Sequence, residues 1–157
     1  MDTGVTFKRA AIEAAKSGDT ESMLRIWLVD DDACYSEQLM WLLNAEPRVD
    51  CSVSFSSATA LLAALQRETP PDAILLDVQM PVINGIEAIP PIKHLAPSTK
   101  VLMLTTFFDH LLQKQALAAG AADFLLKRNS PVQIVAAVRT ASAQFGSLCY
   151  RHVLTPQ

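Results

Sequence analysis

Short apolar runs that end in polar residues recur five times in this chain and alternate with segments of helical periodicity. One helical segment is clear at SATALLAALQRE, where Ala58, Leu61, Leu62 and Leu65 fall at i, i+3, i+4 and i+7. Strands buried on both faces and separated by helices are typical of a parallel sheet with helices on both sides. The pattern therefore predicts an α/β fold whose five strands are RIWLV, VDCSVSF, AILL, KVLML and DFLL.

The length and composition of the chain agree with one domain of this class. The chain has 157 residues, of which 50% are hydrophobic and 18% are charged, as in globular proteins. A net charge of −3, with no cluster of basic residues, gives no sign of a nucleic-acid-binding surface. We expect a domain at residues 25–144, an N-terminal extension at 1–24 with a short helix near 6–17, and a tail or linker at 145–157.

The cysteines and the N-terminus indicate the cellular compartment of the protein. Cys34, Cys51 and Cys149 are odd in number and widely spaced, without a CxxC pair, which favours reduced thiols in a cytosolic protein. The N-terminus lacks the apolar stretch of a signal peptide. No apolar run approaches the ~20 residues of a membrane span. We therefore expect a soluble, cytoplasmic protein that has no membrane partner.

Polar side chains with complementary chemistry follow four of the five apolar runs. They are Asp30, Asp31 and Asp32 after the first run, Asp77 after the third, Thr105 after the fourth and Lys127 after the fifth. In a parallel sheet with helices on both sides, functional groups gather beyond the carboxyl ends of the strands. The sequence therefore predicts that these side chains form one site at one edge of the sheet.

The predicted chemistry of this site follows from its charges. Clustered carboxylates raise one another's pKa values, and a divalent cation would remove the conflict. Mg²⁺ prefers oxygen ligands and often keeps several waters beside one or two carboxylates and a phosphate oxygen. A lysine ammonium and a threonine hydroxyl would add positive charge and a hydrogen-bond donor. This set of groups suits a phosphoryl group carried by a carboxylate.

Four stretches of the chain, in order, carry a family resemblance: LVDDD, PDAILLDVQMPVINGIEAI, KVLMLTT and GAADFLLK. With them, residues 25–144 resemble the receiver domain of two-component response regulators. The stretches LLDVQMP, MLTTF and FLLK are most similar to the NarL/LuxR-type subfamily. The resemblance implies a flavodoxin-like, CheY-like fold with strand order 2-1-3-4-5, to which the N-terminal extension adds one helix.

The resemblance also implies a phosphoacceptor and its metal ligands. Asp77 would take a phosphoryl group from a phosphohistidine of a sensor histidine kinase. Asp30, Asp31, Asp77 and the backbone carbonyl of Gln79 would hold Mg²⁺, with Asp31 of the acidic pair in direct contact with the ion. The chain would then be a signalling phosphoacceptor rather than an enzyme, with at most slow autodephosphorylation.

The same resemblance implies a switch and an output. Thr105 would bond a phosphoryl oxygen, Lys127 would pair with Asp77 and then with its phosphate, and Phe124 would rotate as the loop after Thr105 moves. The output would be a population shift over the face of the fourth helix, the last strand and the last helix. A homodimer could form through the first and last helices or through the face of the fourth and last helices. DNA would be reached only through an effector domain absent from this chain.

Three further features of the sequence lead to separate expectations. Asp32 is a third carboxylate beside a complete acidic pair, so we expect it to cap the first helix. Pro90 and Pro91 fall inside the third predicted helix, which we expect to be short, kinked or broken near Ile89. Phe107 follows Thr105 by two residues, and the resemblance implies that the side chain at this position influences attack by water, so a bulky group there would prolong the life of a phosphoaspartate.

The ends of the sequence and the first helix leave questions open. LTPQ at the C-terminus resembles the opening of a DNA-binding domain, so the chain is either a receiver fragment of a transcriptional regulator, which we favour, or a receiver that works without DNA. The extension at residues 1–24 has no assigned role. Cys34 and Trp41 are expected in the core or at an interface.

Two other functions compete with the phosphoacceptor. A haloacid dehalogenase-type phosphatase also uses an aspartyl nucleophile, Mg²⁺, a hydroxyl and a lysine, and DDDAC would supply Asp30 as the nucleophile. That class needs acidic metal ligands after the lysine, and residues 128–157 contain no Asp or Glu. The second competitor is a receiver-like interaction module that is never phosphorylated.

Overall fold

A computed structural model describes the backbone of residues 22–151 and the side chains of residues 22–143. The helix predicted near residues 6–17 lies outside the described residues, as does the end of the predicted tail at 152–157. Within the described part, the last helix runs on to Arg151. No helix there is both long and apolar enough to cross a membrane.

Five parallel strands form one sheet in the order β2-β1-β3-β4-β5, which confirms the predicted fold and strand order. Each strand coincides with one of the apolar or alternating runs read from the sequence. The strands are β1 (Leu24–Val29), β2 (Val49–Phe55), β3 (Ala73–Asp77), β4 (Lys100–Thr105) and β5 (Asp123–Leu126). Every residue of the central strand β3 is buried.

Five helices connect and follow the strands: α1 (Ala33–Asn44), α2 (Ala58–Leu65), α3 (Gly85–Leu95), α4 (His110–Ala119) and α5 (Pro131–Arg151). Their ends show the capping chemistry expected from the sequence. Asp32 caps α1, as predicted, because its side chain accepts a hydrogen bond from the Tyr35 N–H. Gly120 ends α4 in the left-handed conformation with φ of 115°, which a glycine adopts without strain. Pro131 opens α5, a position that proline favours.

The core has two layers, one on each face of the sheet. Helices α2, α3 and α4 cover one face, where Leu61, Ile89 and Ala116 pack with Trp27 and Ile74 of the sheet. Helices α1 and α5 cover the other face, whose buried residues include Leu39, Leu43, Leu75, Leu102, Ile134 and Val138. Because both faces of β3 and β4 are covered, polar groups are excluded from the sheet until the strands end.

The expectation that α3 is short or broken near Ile89 is wrong, while a kink near Ile89 stays a prediction. The helix continues through Pro90 and Pro91 to Leu95. Its N-terminus carries a capping box, in which Asn84 accepts from the Glu87 N–H and Glu87 accepts from the Asn84 N–H. Ala88, Ile89 and Ile92 are fully buried, so tertiary packing offsets the local cost of the prolines.

Two residues of α1 do not lie in the core. Trp41 is 75% exposed, and Cys34 is exposed as well. The expectation of a core position is therefore wrong for both, and the alternative expectation of an interface remains a prediction. Leu39 and Leu43 form the buried face of α1, while Leu42 on its flank is 39% exposed.

Candidate functional site: an acidic cluster at the strand ends

The carboxyl ends of β1, β3, β4 and β5 meet at one edge of the sheet. Pairing places Val29 of β1 beside Leu76 of β3, and Thr105 of β4 beside Leu126 of β5. Asp30, Asp77 and Thr105 are buried polar residues at these ends. The structure therefore brings the predicted strand-end residues together instead of scattering them over the surface.

Three carboxyl groups form the centre of the site. One carboxylate oxygen from each of Asp30, Asp31 and Asp77 lies within 4.8 Å of the other two. Asp30 and Asp77 are buried, whereas Asp31 is exposed. The cluster offers oxygen ligands from two buried carboxylates, Asp30 and Asp77, and from the exposed carboxylate of Asp31. Such a set fits a hard cation such as Mg²⁺. If that ion binds, it neutralises charge among the three carboxylates.

Backbone N–H groups hold the two buried carboxylates. The Asp32 N–H donates to Oδ1 of Asp30 over 2.9 Å, and the Gln79 N–H donates to Oδ1 of Asp77 over 3.3 Å. The second bond brings Gln79 to the edge of the cluster. Its backbone carbonyl as a metal ligand stays a prediction.

Lys127 links the two buried carboxylates. Its Nζ lies 2.5 Å from Oδ2 of Asp30 and 3.4 Å from Oδ2 of Asp77. Burial lowers the pKa of Lys127, but its contacts with Asp30 and Asp77 outweigh this and raise the pKa above the ordinary value. The lysine is therefore a fixed positive charge, and its shorter contact is with Asp30 rather than with Asp77.

The surroundings of Asp77 disfavour the ionised form of its side chain. Burial, and then the charge of Asp30, raise the pKa of Asp77 from 3.8 to about 6, although Lys127 and the Gln79 N–H act in the opposite direction. At neutral pH this side chain is an anion in an environment that disfavours its charge. A cation bound beside Asp77 would offset this unfavourable charge.

Thr105 and Phe124 occupy a second part of the site. The Thr105 hydroxyl donates to the Phe107 carbonyl over 2.9 Å, so in this conformation it serves its own loop rather than Asp77. Phe124 is buried, and its ring meets that of Phe108 edge-on, with centroids 6.3 Å apart. Phe108 thus connects the loop after Thr105 with Phe124.

Sequence reasoning missed three residues of the site: Gly85, Tyr35 and Phe108. At Gly85 a Cβ would lie only 2.1 Å from the Asp77 carbonyl oxygen, so only glycine fits there. Asn84 before Gly85 is a helix N-cap pattern, but that pattern does not indicate a close approach to Asp77. Tyr35 lies over Lys127, with Nζ 4.7 Å from the ring centroid. Nothing in the sequence pattern pairs residues so far apart.

Comparisons with known proteins agree with this geometry. A family model described as "Response regulator receiver domain" matches residues 26–139. The transcriptional regulatory protein LnrK of Bacillus subtilis (strain 168) is 39% identical over 118 residues, which are 75% of this chain and 53% of that protein. The uncharacterized transcriptional regulatory protein YxjL of the same organism is 37% identical over 120 residues, which are 76% of this chain and 54% of that protein.

The solved structures include one with the same arrangement over most of its length. A two-component response regulator of the LuxR family from Aurantimonas sp. SI85-9A1 superposes with a TM-score of 0.72 at 28% identity, covering 78% of this chain and 87% of that one. The chain spans about half the length of the curated regulators it matches. Protein-glutamate methylesterases also match, through a smaller part of their length.

Proposed function

The chain belongs to the family of response regulator receiver domains, and on that premise we propose that Asp77 is its phosphoacceptor. One observation carries the proposal. Asp77 is a buried carboxylate at the end of the central strand, grouped with Asp30 and Asp31 and 3.4 Å from the Lys127 ammonium. Its raised pKa of about 6 means that ionisation is disfavoured there, and esterification by a phosphoryl group would place the new charge among counter-charges.

The reaction is a phosphoryl transfer from a histidine of a sensor kinase. An oxygen of the Asp77 carboxylate forms a bond to phosphorus as the phosphorus–nitrogen bond of the phosphohistidine breaks, and the imidazole nitrogen leaves with the bonding electron pair. Lys127 shifts its contact from the carboxylate to an oxygen of the phosphoryl group. Asp30, Asp31, Asp77 and the carbonyl of Gln79 would hold Mg²⁺, whose chemistry is charge neutralisation at the transferred group.

The switch that follows uses Thr105. Its hydroxyl leaves the Phe107 carbonyl and donates to a phosphoryl oxygen, so the loop after β4 moves inward. Phe108 lies in this loop and touches Phe124, which gives the movement a direct contact to β5. The equilibrium between the two conformations of the switch then shifts, which changes the face formed by α4, β5 and α5. Large apolar side chains are exposed on both helices, at Leu111 and Leu117 of α4 and at Val132 of α5.

We further propose that the output is transcriptional and that the chain is of the NarL/LuxR type. The support is the pair of transcriptional regulators and the LuxR-family structure among its relatives. DNA would be contacted by an effector domain outside the described residues, and the switched face would form a homodimer. A sensor histidine kinase is the partner on the input side, which places the chain in the cytoplasm with the catalytic part of that kinase.

Uptake of a phosphoryl group tests the proposal. Purified protein is incubated with acetyl phosphate and Mg²⁺, and its intact mass is measured over time. We expect wild-type protein to gain one phosphoryl group in a reaction that EDTA prevents, and Asp77→Asn to gain none. Asp109→Asn is a matched control, because it removes an exposed cap carboxylate outside the cluster. Failure of the folded wild-type protein to take up phosphate from acetyl phosphate and from histidine kinases would leave the interaction module as the better account.

A further inference from the structure

The ring of Tyr35 contacts the lysine of the site. Tyr35 lies in the first turn of α1, and the Nζ of Lys127 is 4.7 Å from the centroid of its ring. This distance is within the ~6 Å over which an ammonium is attracted to the face of an aromatic ring. Lys127 therefore has three neighbours that favour its charge: the Asp30 and Asp77 carboxylates and this ring.

The start of α1 connects Tyr35 to the acidic cluster. The side chain of Asp32 accepts from the Tyr35 N–H over 3.0 Å, and the backbone N–H of Asp32 donates to Asp30 over 2.9 Å. Asp32 thus holds both the ring-bearing residue and the carboxylate that pairs with Lys127. Asp32, the third of the three adjacent aspartates, therefore fixes the position of Tyr35 next to the acidic cluster.

The surroundings of Lys127 give the ring a physical role. A lysine ammonium is a point charge on a flexible four-carbon stem, so its position depends on what surrounds it. Only 17% of the Lys127 side chain is exposed. An aromatic face that replaces water beside the ammonium restricts the stem and favours the charged form at one place.

The hydroxyl of Tyr35 does not account for this contact. Its oxygen is buried and, among the residues the structure describes, has no hydrogen-bond partner. Burial, followed by the charges of Asp30 and Asp77, raises the pKa of Tyr35, so the phenol stays neutral. Removing an unpaired buried hydroxyl costs little. The ring is therefore the part of Tyr35 that acts on Lys127.

We propose that Tyr35 is a positioning residue whose ring holds the Lys127 ammonium at the acidic cluster, ready to receive a phosphoryl group on Asp77. The inference rests on the proposed function of Asp77 for its consequence, but the contact of ring and ammonium is independent of it. Tyr35 itself touches neither the phosphoryl donor nor the reacting carboxylate in this proposal.

Phosphorylation kinetics test the consequence. Tyr35→Leu removes the aromatic face, Tyr35→Phe keeps it, and Trp41→Leu is a matched control that removes an exposed ring from the same helix. With acetyl phosphate and saturating Mg²⁺, we expect Tyr35→Leu to lower the maximal rate constant about three- to tenfold. We expect the Mg²⁺ dissociation constant of Tyr35→Leu, and the rates of the other two variants, to stay within about twofold of wild type.

Three outcomes of these kinetics would overturn the inference. Tyr35→Leu could react at the wild-type rate, or Tyr35→Phe could be as slow as Tyr35→Leu, which would assign the role to the hydroxyl. Tyr35→Leu could also weaken Mg²⁺ binding as much as it slows the reaction, which would indicate a general disturbance of the site.

A double-mutant cycle tests the contact without any phosphorylation. In metal-free protein, urea unfolding is measured for wild type, Tyr35→Leu, Lys127→Met and the double variant. We expect Tyr35→Leu to change the unfolding equilibrium constant at least about threefold more when Lys127 is present than when it is replaced. Additive effects would overturn the inference. If the wild-type protein takes up no phosphoryl group, the proposed function is wrong. The double-mutant cycle would still show whether the Tyr35 ring and the Lys127 ammonium interact.

Discussion

Two loops leave the acidic edge of the sheet, and they are held very differently. The loop from β3 to α3 is tied at both ends: the Val78 N–H donates to Leu104, and the Gly85 N–H donates to Val78, each over 3.0 Å. The loop from β4 to α4 exposes Thr106, Phe107 and Phe108, and its inner hydrogen bond is that of the Thr105 hydroxyl. Asp77, the proposed phosphoacceptor, therefore ends a strand that leads into a fixed loop. Thr105 ends a strand that leads into a loop with fewer internal hydrogen bonds, the movable loop.

This contrast suits a switch better than a rigid catalytic site. A phosphoacceptor must keep its geometry with the metal and the lysine through the transfer. A responding loop must have a second arrangement of similar free energy, which a loop with few internal bonds allows. Substitutions in the fixed loop and in the movable loop therefore test this difference.

The largest effect is expected from Gly85→Ala, which disturbs the fixed loop. The added Cβ would lie 2.1 Å from the Asp77 carbonyl oxygen and 2.9 Å from the Met103 side chain. We expect a loss of about 2–4 kcal/mol in the free energy of unfolding, together with loss of phosphoryl uptake, because the backbone of Asp77 must move. Urea unfolding and intact mass measure both.

Gly120→Ala is the matched control for that variant. Gly120 has φ of 115°, and a Cβ there would meet no atom closer than 3.5 Å. We expect a loss of about 1 kcal/mol from backbone strain, with phosphoryl uptake unchanged. Equal effects of the two variants on uptake would contradict a special role for the close approach at Gly85.

The next effect concerns the charge of Asp77 in metal-free protein. Its pKa of about 6 in the folded state lies above the ordinary value of 3.8. The folded protein therefore holds a proton that the unfolded chain releases between these values, and stability falls as the pH rises through this window. We expect Asp77→Asn to be more stable than wild type by about 1–3 kcal/mol at neutral pH, and by much less at pH below about 4.

Urea unfolding in EDTA across this pH range measures the difference. Asp109→Asn is the control, because asparagine is as good an N-cap as aspartate and Asp109 lies outside the cluster. A stability gain for Asp77→Asn that does not change with pH would contradict the electrostatic cause.

A smaller effect is expected from Val82, at the tip of the fixed loop. Val82 has φ of 72°, which strains a β-branched residue, and the Ile83 N–H donates to Pro81 across it. It is 97% exposed, so replacing it removes little packing. We expect Val82→Asn to raise the free energy of unfolding by about 1 kcal/mol without changing phosphoryl uptake.

Thermal unfolding checks this expectation, with Val132→Asn on α5 as the control. Val132 is also exposed but lies in a helix, where asparagine gives no gain. A Val82→Asn protein that is less stable than wild type would show that the turn depends on the valine side chain.

The smallest effect falls on the movable loop. Phe107 is 76% exposed in this conformation, so it does not shield Asp77 until the loop moves inward. We expect Phe107→Ala to shorten the lifetime of the phosphoaspartate several-fold, because water then reaches the phosphoryl group more easily. The decay of the phosphorylated mass after removal of acetyl phosphate measures it. A lifetime of seconds in the wild-type protein would contradict the proposed role of Phe107.

Much of the fold was predictable because the apolar runs end where the strands end. Asp30, Asp77 and Thr105 each appear in the sequence as the first polar residues after such a run, or nearly so, and parallel strands bring those ends to one edge. Asp32 was predictable as a cap by the same local reasoning. Each of these inferences needs only chain direction and hydrophobic pattern.

The errors arose where a local rule met tertiary packing. Pro90 and Pro91 suggested a broken helix, but Asn84 and Glu87 have the spacing of a capping box, which favours a helix that starts there. The pairing of Tyr35 with Lys127 depends on tertiary structure, which brings the start of α1 close to the residue that follows β5. No periodicity in the sequence encodes that relation.

The central claim is that Asp77, among three neighbouring carboxylates, is the one that becomes phosphorylated. Borohydride reduction of the protein after phosphorylation converts an aspartyl phosphate to homoserine, whose position peptide mass spectrometry identifies. We expect homoserine at position 77 alone. Homoserine at position 30 would show that Asp77 is not the phosphoacceptor and would favour the phosphatase, in which Asp30 is the nucleophile.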